Sequence, residues 1–182
     1  ERPRPEEKGG VLFEDLADGS AAEVNADSWV AEGMAFQDGS ADPHVIPELA
    51  RAAWAVVITD QDGNALSQAS GPVLWPLPQT SACAEWCSYA ALAQTAGPAG
   101  VTGHQDYLAI VRTLDKPLMM QLRWTSPYAG IVRSTLAYAE RHNIKEIVKV
   151  KAHVDEAKVA EKPLLRTYAR GNGAADSVAK RA

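Results

Sequence analysis

The stretch WVAEGMAFQDGS, residues 29–40, alternates apolar and polar side chains over its first nine residues and ends in Asp38-Gly39-Ser40. Such alternation is typical of a half-buried strand, so Asp38 is predicted to stand at a strand end. Three further carboxylates fall on separate predicted elements, at Glu85, Asp106 and Asp176. Acidic side chains delivered from separate elements are the ligands that a two-metal site requires. This pattern directs the interpretation of the rest of the chain.

The remaining patterns predict alternating strands and helices. Asp62-Gly63 separates two apolar runs and predicts a hairpin after the first strand. Thr80 or Ser81 is predicted to cap the first helix, which Gly97 and Pro98 end. The predicted strands are 29–37, 52–59, 65–73, 101–105 and 147–152, and the predicted helices are 82–94, 106–114, 131–142 and 174–181. Their order, βββαβααβα, predicts an α/β fold in which a mixed sheet carries helices on its faces.

The strand order predicts where the carboxylates meet. In a sheet of this kind, the carboxyl ends of neighbouring parallel strands lie side by side. Asp38 ends the first predicted strand and Asp106 follows the fourth, so the two converge if those strands are adjacent. Glu85 and Asp176 would then have to face the same point from helices packed near that edge. Carboxylates without a soft ligand suit Mg²⁺ better than zinc, because hard cations prefer oxygen.

Length and composition predict one domain with a core of its own, since the chain has 182 residues and is 46% hydrophobic. Residues 1–28 hold eight acidic and three basic residues, which accounts for the whole formal net charge of −5. We predict an acidic flexible tail or linker over residues 1–28 and a folded domain over 29–182. A short docking motif from Val11 to Leu16 is the alternative. From Lys145 onward nine basic residues face five acidic ones, a balance that suits a nucleic-acid partner.

The two cysteines, Cys83 and Cys87, lie four apart in one predicted helix, where we expect small buried or half-buried residues. No second pair stands at ligand spacing, which argues against a disulfide framework and a zinc site. The longest uncharged stretch, residues 65–84, is broken by three prolines, so we expect no membrane partner. The chain begins at Glu1 without Met and with no signal peptide, as expected for a fragment cut from a longer protein. The sequence leaves the intracellular compartment, nucleus or cytoplasm, open.

Five segments fall in the order and in the elements of a known family. They are Asp38-Gly39-Ser40 after a strand, AEW at 84–86 in a helix, DYLAIV at 106–111 opening a helix, KVKAH at 149–153 on the last strand and GNGAAD at 171–176 leading into the last helix. In these segments residues 29–182 resemble type 1 ribonuclease H, which occurs as cellular enzymes and as a module of reverse transcriptases. The resemblance implies a ribonuclease H-like fold, a five-stranded mixed sheet with helices on both faces. It also implies an endonuclease that hydrolyses the RNA strand of RNA/DNA hybrids with two Mg²⁺ ions, for which Mn²⁺ can substitute.

The same resemblance implies roles for particular residues. The implied metal ligands are Asp38, Glu85, Asp106 and Asp176, and His153 matches the family's mobile histidine, which assists proton handling or product release. The expected contacts to 2′-hydroxyls, which distinguish RNA from DNA, come from Gly39, Ser40, Gln79, Thr80 and Ser81. No strongly basic protrusion stands between residues 117 and 130. We therefore expect either weak affinity for the hybrid or help in binding it from other domains of a longer parent polypeptide, a retroelement or cellular protein.

Several alternatives stay open on the sequence. Taken singly, Asp38-Gly39 could be a turn, Glu85 a solvated helix residue, Asp106 a helix cap and Asp176 a surface acid. One rival function is a catalytically silent nucleic-acid-binding module, and another is an exonuclease or transposase-type nuclease on the same fold. Trp124 fits either the core or a substrate-facing protrusion, and we predict the core.

Overall fold

One sheet organises the molecule. The computed structural model describes residues 10–16, 20–46, 49–126, 128–151 and 163–182, and in these ranges seven strands form a single mixed sheet. The strands are β1 Leu12–Asp15, β2 Ala22–Glu23, β3 Ala31–Asp42, β4 Arg51–Thr59, β5 Ala65–Pro72, β6 Ala96–Gln105 and β7 Ile144–Lys149. The α-helices are α1 Ser81–Thr95, α2 Leu108–Leu114, α3 Leu118–Gln121, α4 Ala129–Thr135 and α5 Pro163–Arg181. Short 3-10 helices cover Ala26–Ser28 and Ala139–Asn143.

The sheet runs in the order β2-β1-β5-β4-β3-β6-β7. Strands β3, β4 and β5 form the predicted antiparallel meander, and β6 and β7 add in parallel to the other side of β3. The α/β class and the mixed sheet are therefore confirmed. The predicted count of five strands is wrong, because β1 and β2 extend the meander edge beyond β5.

The two additional strands lie in the acidic segment predicted as a flexible tail. Strand β1 pairs antiparallel with β5 from Leu12 to Asp15, which satisfies the backbone groups of an otherwise open edge. The Phe13 ring packs on Trp29 with ring centroids 5.5 Å apart. Composition did not predict this, because four residues of strand are hidden among acids and glycines. The docking alternative for Val11 to Leu16 therefore describes this part of the segment better than a linker does.

The helices cover both faces of the sheet. Alternation along β4 directs Trp54, Val56 and Ile58 into a core beneath α1, and Ala55 and Val57 into a second core beneath α5. All five side chains are buried because the central strand is covered on both faces. In the described part of the chain, no helix is long and apolar enough to cross a membrane.

Helix α1 begins and ends close to the predicted residues. The Thr80 side chain accepts a hydrogen bond from the Cys83 N–H at 3.2 Å, which makes Thr80 the N-cap. Cys83 is buried, Cys87 is half-buried, and both are free thiols, as predicted. Strand β6 starts immediately after the helix, five residues earlier than predicted, because Ala96 already pairs with Ala31.

The C-terminal half departs from the predicted helices in two places. The single helix predicted over residues 131–142 divides into α4 and a 3-10 helix, where the hydroxyls of Ser134 and Thr135 donate to the carbonyls of Ile131 and Val132 at 2.7 Å. Such local bonds compete with regular helix formation. Helix α5 begins at Pro163 instead of residue 174, and its Gly171 is enclosed by the Phe36 ring, where a Cβ atom would clash. Gly171, a residue type that usually disfavours a helix, is here inside α5 because it packs closely against Phe36.

The prediction for Trp124 is wrong. Its side chain is 92% exposed, in the stretch between α3 and α4. A tryptophan is usually assigned to a core because of its large apolar surface. Here the segments on either side turn over the surface, and the ring borders a shallow depression with Pro78 and Arg133.

Candidate metal centre

Two carboxylates follow the last parallel pair of the central strands. Gln37 on β3 pairs with Gln105 on β6, and the next residues along the two strands are Asp38 and Asp106. These strands are adjacent, so the condition for the convergence of Asp38 and Asp106 is met. The prediction that Asp38 ends its strand is wrong, because β4 continues to pair with β3 as far as Asp42.

Gly39 brings the third carboxylate to the same place. A Cβ atom on Gly39 would clash with the backbone N of Glu85 and would lie 2.6 Å from the carbonyl carbon of Ala84. Only a residue without a side chain lets α1 cross β3 this closely. Glu85, in the second turn of α1, is thereby held beside Asp38. The sequence predicts Gly39 as a substrate contact, and the structure gives it this packing function.

Asp38, Glu85 and Asp106 form one cluster. Each offers a carboxylate oxygen, and these oxygens all lie within 4.8 Å of one another. Asp38 and Glu85 are buried, whereas Asp106 is half-buried, so the cluster opens to solvent on the side of Asp106. The donors are all hard oxygen atoms. This set fits Mg²⁺ or Mn²⁺ and lacks the thiolate and imidazole ligands that favour zinc.

Hydrogen bonds from neighbouring residues hold the carboxylates. The backbone N–H of Gly39 donates to Asp38 Oδ1 at 2.8 Å, and the side-chain amide of Gln105 donates to Glu85 Oε2. Asn172 Nδ2 on α5 lies 3.4 Å from Asp106 Oδ2. The sequence patterns predict no role for either amide. Asn172 could have been found from its position four residues before Asp176, on the same face of the last helix.

The electrostatics of the cluster favour a bound cation. The pKa of Asp38 is raised to about 6, mainly by burial and also by the charges of Asp106 and Asp176, against the lowering effect of the Gly39 N–H. Burial also raises the pKa of Glu85 to about 10, with the charges of Asp38 and Asp106 as the next contributions. Both shifts have the sign expected for carboxylates that share a site without a counter-charge. A divalent cation would reverse them by stabilising the ionised forms.

Asp176 lies near the cluster without joining it. It is half-buried on α5, and its carboxylate accepts from Lys180 Nζ at 2.8 Å, one helical turn further on. The charge of Asp176 is close enough to raise the pKa of Asp38. Surface pairs of this kind are weak, so the contact with Lys180 opposes recruitment of Asp176 only slightly.

The other predicted site residues have different surroundings. Gln79 accepts from the Ala52 N–H at 3.0 Å and donates to the Val73 carbonyl at 2.9 Å, so its amide joins the loop before α1 to the sheet. Thr80 is exposed and caps α1, Ser81 is exposed, and Ser40 is half-buried beside the cluster. His153 lies outside the described residues. Whether any of these residues contacts a substrate stays a prediction.

Comparisons with known proteins give distant likenesses. No family model matches the chain, and no curated protein matches it. Among solved structures, it is similar to LC11 ribonuclease H1 in complex with an RNA/DNA hybrid, at 20% identity over 82% of this chain and 94% of that one, with a TM-score of 0.46. It is similar to ribonuclease H1 from the archaeon Halobacterium salinarum, at 18% identity over 82% and 96% of the two chains, with a TM-score of 0.43.

A third similar structure is the N-terminal ribonuclease H domain of a Mycobacterium tuberculosis protein, solved as a fusion with maltose-binding protein. The identity is 16% over 79% of this chain and 96% of that one, with a TM-score of 0.41. All three names include ribonuclease H. Likenesses at this level do not assign the chain to a family.

Proposed function

We propose that this chain is a divalent-metal-dependent endonuclease that hydrolyses the RNA strand of RNA/DNA hybrids. The observation that carries the proposal is the convergence of Asp38, Glu85 and Asp106, from three separate elements, within 4.8 Å. Two of these carboxylates are buried, and buried charges are retained in proteins where they are paired or hold metal. The choice of hybrid as substrate comes from the resemblance of the five sequence segments to type 1 ribonuclease H.

Each carboxylate has a distinct function in this proposal. Asp38 and Glu85 would hold the metal at the buried end of the cluster, and Asp106 would complete the set on the open side. Asp176 would join as a further ligand when it leaves Lys180. Bound Mg²⁺ supplies an activated water and stabilises the leaving oxygen of the phosphodiester. The half-buried position of Asp106 leaves the site open to a phosphate from solvent.

Two further assignments belong to the same proposal. Ser40 and Ser81 are partly or fully exposed near the ends of β3 and α1, where their hydroxyls can donate to 2′-hydroxyls of the RNA strand. His153 would handle protons or assist product release, as the resemblance implies. Both assignments are separable from the metal centre, because a variant at Ser81 or His153 leaves the three carboxylates in place.

A silent nucleic-acid-binding module is the second candidate. It is favoured by one observation: Asp176 pairs with Lys180 and lies outside the group of three carboxylates. A protein with an incomplete ligand set could bind the hybrid without turnover. The two candidates differ in whether the phosphodiester is broken, so a single assay separates them.

The test is cleavage of an end-labelled RNA/DNA hybrid with Mg²⁺, with duplex RNA and duplex DNA of the same sequence as controls. We expect internal cuts in the RNA of the hybrid only, and none when EDTA is added. Replacing Asp115, an exposed carboxylate at the end of α2, with asparagine should leave the rate unchanged. Binding of the hybrid without any cleavage in Mg²⁺ or Mn²⁺ would favour the silent module.

A further inference from the structure

Two glutamines lie side by side behind the cluster. Gln37 and Gln105 pair in register across β3 and β6, and both are fully buried, at 0% exposure. Each immediately precedes a cluster carboxylate, so strand alternation turns their side chains to the opposite face of the sheet from Asp38 and Asp106. That face is the one covered by α1, the helix that carries Glu85.

The two amides have unequal partners. Gln105 donates from Nε2 to Glu85 Oε2, whereas both side-chain polar atoms of Gln37 lack a hydrogen-bond partner among the described residues, as does Gln105 Oε1. Burying an amide without a hydrogen-bond partner lowers the free energy of unfolding, and an apolar side chain of the same shape lowers it less. Stability alone therefore gives no reason for an amide at position 105. The hydrogen bond from this amide to Glu85 does give a reason.

We propose that Gln105 is a positioning residue that fixes the Glu85 carboxylate in the orientation that a cation requires. Glu85 reaches the cluster from a helix on the far face of the sheet, so its side chain has to be held at its end. Gln105 is rigidly placed for this, because its backbone is the last residue of β6 and the neighbour of Asp106. Residues that orient metal ligands in this way change metal affinity when they are replaced. The inference rests on the proposed function of the cluster as a metal centre.

The test compares two methionine variants of the same size and burial. Gln105→Met removes the donor to Glu85, and Gln37→Met removes an amide with no hydrogen bond to the cluster. Mn²⁺ binding to each protein without substrate is measured by titration calorimetry, together with kcat and KM for hybrid cleavage and Tm. For Gln105→Met we expect Mn²⁺ affinity and kcat to fall by about 10- to 100-fold. We expect its KM for the hybrid to stay within about twofold. Its Tm should change little, because losing an unpaired amide oxygen and losing the donor to buried Glu85 have opposite effects on stability.

A control variant at position 37 and a second variant at position 105 test whether the effect is specific to Gln105. Gln37→Met should match the wild type in Mn²⁺ affinity and kcat within about twofold. If Gln105→Met folds poorly, Gln105→Leu takes its place and should show the same loss of Mn²⁺ affinity and kcat. Wild-type Mn²⁺ affinity in both position-105 variants would overturn the inference, as would an equal loss in Gln37→Met. If the wild type binds Mn²⁺ and cleaves no hybrid, the proposed function fails and the Mn²⁺ comparison still decides the role of Gln105. A wild type that binds no Mn²⁺ would overturn the metal centre and this role with it.

Discussion

Replacing Gly39 with alanine should damage the fold and the site together. The added Cβ would clash with the backbone N of Glu85 and lie 2.8 Å from the Cβ of Ala84. The atoms it meets belong mainly to the backbone of α1, which cannot rotate away as a flexible side chain could. The helix must therefore shift away from β3 and carry Glu85 with it. Overpacking of this kind costs about 1–3 kcal/mol, so Tm should fall by roughly 3–10 °C in a chain of this size.

The loss of activity should exceed the loss of stability. Displacing Glu85 from Asp38 and Asp106 by about 1 Å is enough to lower kcat roughly 100-fold. The assay is single-turnover hybrid cleavage with saturating Mg²⁺ at a temperature where circular dichroism shows the variant to be folded.

The matched control is Gly130→Ala, in α4. A Cβ atom at position 130 meets nothing within 4 Å, and alanine is the better helix residue by about 1 kcal/mol. Gly130→Ala should keep full activity and a Tm at or above that of the wild type. If Gly39→Ala melts and cleaves like the wild type, the close approach of α1 to β3 does not hold Glu85 in the site.

Two other perturbations give distinct results. Because the pKa of Asp38 in the fold, about 6, lies above its ordinary value of 3.8, its ionisation destabilises the metal-free protein as pH rises from about 4 to about 6. Asp38→Asn should remove this pH-dependent loss in the free energy of unfolding, which amounts to up to about 3 kcal/mol. It should also abolish cleavage while hybrid binding persists. A variant whose unfolding depends on pH as the wild type does would contradict the raised pKa of Asp38. Deleting residues 1–28 removes the pairing of β1 with β5 and the contact of Phe13 with Trp29, so Tm should fall by at least about 4 °C, and an unchanged Tm would mean that β1 adds no stability.

The sequence predicts the positions of the site carboxylates better than it predicts the edge strands of the sheet. Alternation before Asp38 and the order of elements predict that Asp38 and Asp106 converge if their strands are adjacent, and the sheet has β3 beside β6. These are periodic signals that extend over whole elements. The functions of Gly39 and Gln105 depend on how closely one helix approaches one strand, and no pattern along the chain encodes that distance.

The misses elsewhere have similar causes. The short strand β1 is hidden in an acidic segment, because composition averages over four residues that pair with β5. Gly171 reads as a helix breaker, yet close packing against Phe36 requires a glycine inside α5. Trp124 has a large apolar side chain of the kind usually found in a core, yet it lies in solvent because the segments beside it do not cover it. In each case tertiary packing overrides a local preference.

The most direct test of the metal centre is Asp106→Asn, measured by single-turnover cleavage and by the Tm of the metal-free protein. In the proposed metal centre Asp106 completes the ligand set on its open side, so the rate should fall by several orders of magnitude. The charge of Asp106 also raises the pKa values of Asp38 and Glu85, so its removal should leave the metal-free Tm unchanged or slightly higher. Asp115→Asn serves as the control, with wild-type cleavage. If Asp106→Asn cleaves the hybrid at the wild-type rate, the three carboxylates are not the catalytic site.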